Sequence, residues 1–206
     1  MALYHLLRGW LLYAGKEQVM QAAGDAARQY MQNQASGGSA TANLPPVKVG
    51  LVFALPQEMG CFEDRLTDVV RTRGNKLAVV RGNLRGEPVV AVQAGVGQAA
   101  AAHATEALIL GHNPPVVISA GFCGGLDPDL QRNHLLLANE VVRTDGTCAS
   151  IPLQLSTEAS GLTSLHVGRL QTVDRIIRTA EEKAKIREQH QALAVDMETA
   201  AVMEVC

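Results

Sequence analysis

No run of lysine and arginine occurs in this chain of 206 residues, and its formal net charge is only -2. The electrostatic footprint of a nucleic-acid binder is therefore missing. The cysteines Cys61, Cys123, Cys148 and Cys206 form no C-x-x-C pair and stand near no histidine at ligand spacing. That argues against a zinc site or a disulfide framework and fits a reducing cytoplasm. Long apolar runs are also lacking. The N-terminal stretch "MALYHLLRGWLLYAG" is interrupted early by His5 and Arg8, too soon for a membrane span, and no small-residue cleavage site follows it directly, which argues against a signal peptide. Internal repeats are absent as well.

What is present is the composition of a globular protein, 47% hydrophobic and 18% charged, on a length that suits one substantial α/β core. Residues 1–34 put Leu3, Leu7, Trp10 and Tyr13 or Ala14 at helical spacing, predicting an amphipathic helix. Two roles fit it: packing on the domain or on a second subunit, or lying on a membrane surface as a peripheral contact. Residues 35–46, rich in Ser, Gly, Ala and Pro, read as a flexible linker. A compact domain is expected over residues 47–206.

Within that domain strands alternate with helices. "VKVGLVFAL", "KLAVVRG", "EPVVAVQAG" and "PPVVISAGF" have strand length and apolar content, "QAAAAHATEALILGH" is an alanine-dense helix, and "HLLLANEVV" and "SLHVGRL" add strands. "TVDRIIRTAEEKAKIREQH" reads as a charged helix, "ALAV" at 192–195 as a short buried strand, and the chain from Met197 onward as a helix. The fold class expected is α/β, a mixed central sheet with helices on both faces and right-handed crossovers.

Several short stretches carry chemistry. In "AGVGQAA", Gly95, Gly97 and Ala100 meet the G-x-G-x-x-[GA] spacing between a strand and a helix, the context of a dinucleotide fingerprint. The acid that should end the next strand and hold the ribose is missing from "VVISAGF". A dinucleotide-binding oxidoreductase is thus a weak alternative, beside a plain tight turn or a glycine turn whose amides face another anion or oxygen ligand. "SAGFCGGLDP" puts Gly121, Gly124 and Gly125 beyond a strand end, where a bare backbone either makes a turn or lets a bulky ligand approach. Glu58 in "ALPQEMG" either complements a helix dipole or serves a site. Asp196 and Glu198 in "ALAVDMETAAV" read as helix-start acids. Alternatively Glu198 accepts hydrogen bonds from the vicinal hydroxyls of a ribose, with Met197 offering a polarizable surface to the sugar.

In this order, "VGLVFALPQEMG", "AGVGQAAAAHATEALI", "ISAGFCGGLDP" and "ALAVDMETAAV" resemble the nucleoside phosphorylase and nucleosidase superfamily, which includes purine nucleoside phosphorylase, uridine phosphorylase and the methylthioadenosine/S-adenosylhomocysteine nucleosidases. The resemblance implies a nucleoside phosphorylase-like fold and cleavage of the N-glycosidic bond of a purine nucleoside of the adenosyl type. It implies that Glu198 binds the ribose hydroxyls, that Met197 packs on the sugar, that Ala94, Gly95, Gly121 and Phe122 line the substrate, and that Glu58 positions the attacking water. No cofactor is implied, only inorganic phosphate as co-substrate if the reaction is phosphorolytic. The partner is a small-molecule nucleoside, and the protein a homo-oligomer. The absence of a phosphate-binding arginine in "FALPQEM" favours hydrolysis. The charged helix running into "ALAVDMET" looks most like the hopanoid-associated phosphorylase-like proteins.

The chain departs from the family pattern in places. Ala94 stands where many members have Ser or Thr, and Asn133 and His134 replace a Gly-Asp pair. The family's proton-donating aspartate follows the helix that begins near Met197, whereas this chain stops within that helix, so the expectation is a domain truncated at its C-terminus. Its alternative activity is that of a catalytically impaired nucleoside-binding protein or fragment.

Overall fold

The computed structural model describes residues 45–74, 77–153 and 163–206. The helix and linker expected over residues 1–46 lie almost wholly outside them. The described chain runs β1 (Val49–Phe53), α1 (Pro56–Glu63), β2 (Thr67–Arg73), β3 (Ala78–Leu84), β4 (Glu87–Gln93), α2 (Gln98–His112), β5 (Val117–Ser119), β6 (Gly124–Gly125), β7 (Leu135–Arg143), β8 (Cys148–Ser150), β9 (Leu165–Thr172), α3 (Ala180–His190), β10 (Ala194–Asp196) and α4 (Thr199–Val205). Among these helices none is long and apolar enough to cross a membrane.

The α/β class is as expected, but the strands pair as two five-stranded mixed sheets and not as one. Their orders are β2-β3-β4-β1-β5 and β6-β10-β9-β7-β8. In the first sheet β1 lies parallel to both β4 and β5 and is buried along its whole length, which explains its unbroken apolar sequence. Side chains alternate between the faces of a strand, and the packing follows that alternation. Val52, Val90 and Val92 pack with Ala101, Ala104 and Leu108 of α2 and with Ala201 and Val202 of α4. Val49, Leu51, Phe53, Val89 and Ala91 pack on the other face with Met59 of α1. The alanines of α2 thus leave room for α4.

Three elements differ from the sequence reading. The helix expected from Thr172 begins at Ala180, because Gln171 and Thr172 continue β9 as parallel partners of Val195 and Asp196. The helix starts only where Thr179 Oγ1 accepts from Glu182 N–H (3.1 Å) and the Glu182 carboxylate reaches back to Thr179 N–H, a capping box. The last helix begins at Thr199 and not at Met197, because Glu198 has φ -132° and occupies the cap position. β2 went unread, since its burial pattern is almost wholly exposed and its sequence TDVVRTR is polar. It is an edge strand, paired along one side with β3 in an antiparallel ladder.

Candidate active site

β1 ends at Phe53, and Pro56 opens α1 three residues later. Glu58, in the first turn of α1, folds back over the junction. Its Oε2 accepts from the N–H groups of Ala54 (2.9 Å) and Leu55 (2.7 Å), and its Oε1 accepts from Phe122 N–H (2.9 Å). Hydrogen bonds to an ionised acceptor are the strong ones, so this carboxylate ties the end of β1 to the segment after β5. Gly121 permits the approach: an added Cβ there would lie 2.7 Å from Glu58 Oε1.

The second carboxylate comes from the other sheet. Glu198, half-buried between β10 and α4, accepts from Gly97 N–H at Oε1 (2.7 Å) and from Met197 N–H at Oε2 (3.1 Å). Gly97 caps α2 with φ 99° and follows Gly95 at φ 91°, left-handed values that glycine adopts without strain. The anion facing this helix N-terminus is therefore an internal one, Glu198 itself. Burial pushes the Glu198 carboxyl above the ordinary glutamate value and outweighs the opposing bond from Gly97 N–H; the charges of Asp196 and Glu58 add to the rise. Asp196 supports the turn. Its Oδ2 accepts from Thr199 N–H (2.7 Å) and Glu198 N–H (3.3 Å), and its Oδ1 from the Thr172 hydroxyl (2.7 Å). The Ser119 and Thr199 hydroxyls, 2.9 Å apart, bond the end of β5 to the start of α4.

Between these elements lies a cavity of about 290 Å³. Glu58, Asp196 and Glu198 line it together with Ser119, Thr199 and an apolar wall that includes Ile118, Phe122 and Leu135 to Leu137. Of the residues expected at the site, Glu58, Gly121, Phe122 and Glu198 line this cavity. Phe122 is 70% exposed at its mouth. Ala94, Gly95 and Met197, expected there too, are not among its lining residues: Ala94 and Gly95 donate their N–H groups to the Phe53 and Ala54 carbonyls (2.8 and 3.0 Å), and Met197 packs against the cluster around Val142 and Val195. Sequence reasoning missed Ser119, Thr172 and Thr199. Hydroxyl residues at strand ends carry no spacing signal, and only the register of β9 against β10 brings Thr172 opposite Asp196.

The family model described as the phosphorylase superfamily matches residues 48–159. The chain belongs to the phosphorylase superfamily. Members similar to it include the 5′-methylthioadenosine/S-adenosylhomocysteine nucleosidase of Staphylococcus haemolyticus, 27% identical over an alignment of 180 residues, with 77% of this chain and 79% of that protein covered. Among solved structures, a nucleosidase of the same name from Colwellia psychrerythraea 34H, in complex with adenine, matches with TM-score 0.67 and 26% identity, covering 79% of this chain and 77% of that one. A futalosine hydrolase mutant of Helicobacter pylori shares the fold at TM-score 0.63 and 22% identity, covering 78% of this chain and 83% of its own. The superfamily match includes the Glu58 and Gly121 segments.

Proposed function

We propose that the protein hydrolyses the N-glycosidic bond of a purine nucleoside of the adenosyl type. The observation that carries the reading is that two carboxylates from different sheets, Glu58 and Glu198, line one cavity, near enough that the charge of one raises the proton affinity of the other. The nucleosidase names of the similar proteins support the same chemistry.

Breaking this bond builds positive charge on the sugar ring, so the site must hold the ribose and place a water, and the proton that water gives up balances the one the departing base takes up. Glu198 is the ribose acceptor, its orientation set by Gly97 and Met197 N–H. Two carboxylates near the developing cation stabilise it electrostatically. Glu58 is held by three backbone N–H groups and keeps the remaining acceptor capacity of its oxygens for a water. The apolar wall of Ile118, Phe122 and Leu135 to Leu137 gives the rest of the nucleoside a dry surface. Asp196 accepts on both oxygens within the turn, so its role here is support and not proton donation.

Water is favoured over phosphate as the nucleophile by charge. The described residues lining the cavity include three acids and no Lys, Arg or His, a setting that repels a phosphate anion. The test is to incubate the protein with 5′-methylthioadenosine with and without inorganic phosphate and to identify the sugar product. Free base and free sugar in both cases are expected. Release only with phosphate, giving a sugar phosphate, would overturn the hydrolytic reading, and binding without release would make the protein a nucleoside-binding one.

A further inference from the structure

We propose that Thr172 is a positioning residue for ribose recognition, acting through Asp196 on Glu198. The proposal rests on the reading of Glu198 as the ribose acceptor. Thr172 is the last residue of β9 and Asp196 the last of β10, and the two are direct partners in the parallel ladder, so their side chains leave the same face of the sheet. Thr172 is 2% exposed. Its hydroxyl donates to Asp196 Oδ1 (2.7 Å) and accepts from Ala200 N–H (3.0 Å).

Asp196 passes the constraint on. Its other oxygen accepts from the N–H groups of Glu198 and Thr199, and Val173 N–H donates to the Asp196 carbonyl (2.9 Å). One hydroxyl therefore fixes the start of α4 twice, directly at Ala200 and through Asp196 at residues 198 and 199. Glu198 sits at the cap with φ -132° and ψ -39°; its carbonyl accepts the first helical bonds, from Ala201 and Val202 N–H (3.0 and 3.2 Å), while its own N–H is held by Asp196. The Thr172–Asp196 pair thus fixes the N-terminal side of this residue, and together with the Gly97 and Met197 N–H groups the direction in which the carboxylate meets a sugar. β9 thus contributes to ribose recognition although Thr172 itself touches no ligand in this scheme.

The experiment measures binding of adenosine and of 2′,3′-dideoxyadenosine by calorimetry to the full chain and to Thr172→Val, Thr172→Ser, Asp196→Asn and Glu198→Gln. Thr172→Val should weaken adenosine about tenfold, the scale of one lost bond in a charged network, and leave the dideoxy analogue within about twofold. Thr172→Ser, which keeps the hydroxyl, should bind both as the parent does. Asp196→Asn should reduce the adenosine preference too, and the part that remains should persist to lower pH, because one of the two negative charges facing Glu198 is gone. If Glu198→Gln weakens both ligands equally, the ribose reading itself fails. If Glu198→Gln is selective but neither Thr172→Val nor Asp196→Asn is, the positioning role alone is overturned. Should Thr172→Val not fold, Asp196→Asn and Thr172→Ser decide: an Asp196→Asn that keeps the parent's preference for adenosine over the dideoxy analogue, or a Thr172→Ser as weak for adenosine as Glu198→Gln, refutes it.

Discussion

Replacing Gly121 with Ala tests the Glu58 assignment without touching Glu58. The Cβ would lie 2.7, 2.9 and 3.2 Å from Oε1, Cδ and Oε2 of that side chain, the first two closer than a methyl carbon and a carboxylate can rest. The obstacle is the free end of a partly exposed side chain, so the backbone can stay and the carboxylate must swing away. Swinging breaks the bond from Phe122 N–H, and loss of a hydrogen bond to a charged acceptor is worth about 1.5–3 kcal/mol. If the water held by Glu58 attacks in the transition state, kcat/KM for 5′-methylthioadenosine should fall about 10- to 100-fold. Thermal stability should change little. A matched control is Gly111→Ala in α2, where an added Cβ meets nothing within 4 Å and helix propensity gains about 0.5–1 kcal/mol. Steady-state release of adenine, measured beside melting curves for both variants, is the assay. A Gly121→Ala protein with unchanged kcat/KM would refute the idea that the Glu58 position matters to the reaction.

If Glu198 is the ribose acceptor, acidification should weaken adenosine before it weakens the dideoxy analogue, since its ionised form is the better acceptor and burial raises its carboxyl above the ordinary 4.5. The same rise fixes the sign for stability: the folded chain holds this proton more tightly than the unfolded one, so the contribution is fully present below pH 4.5 and is lost as pH rises through the higher folded value. Melting curves of Glu198→Gln against the parent from about pH 4 to 7 should show that slope only in the parent. Gly168→Ala probes the second sheet away from the site. Its Cβ would lie 2.3 Å from Leu193 Cδ1 and 2.9 Å from Cγ, an overpacking that costs about 1–3 kcal/mol and should lower the melting temperature without changing the ratio of adenosine to dideoxyadenosine affinity. An unchanged melting temperature would contradict the packing of β9 under Leu193.

β1, β4 and α2 were legible because each is buried among neighbours that demand one side-chain period. Glu58 and Glu198 were legible because acids interrupt apolar sequence just after strands. β2 was not, since an exposed edge imposes no apolar alternation. β6, the dipeptide Gly124–Gly125, read as a turn; it is a strand only because β10 passes beside it, with Val195 Cγ2 within 3.2 Å of an added Cβ at Gly124. The extent of α3 was misjudged for a related reason: Thr172 has to choose between a helix and a ladder, and the ladder partner lies 24 residues on. Met197 shows the same limit at the site, where sequence places it beside Glu198 but packing turns its side chain into the cluster around Val195.

The two carboxylates differ in what must be assembled before each is in place. Every partner of Glu58, at Ala54, Leu55 and Phe122, flanks strands of the first sheet. Glu198 follows a strand of the second sheet and takes its amide from Gly97, behind a strand of the first. A chain that has formed only the first sheet would display the Glu58 clasp with no Glu198, the proposed ribose acceptor, facing it. Nucleoside affinity is then a property of the whole assembly, so ligand draws the folding equilibrium toward complete molecules by mass action and leaves half-formed ones unprotected.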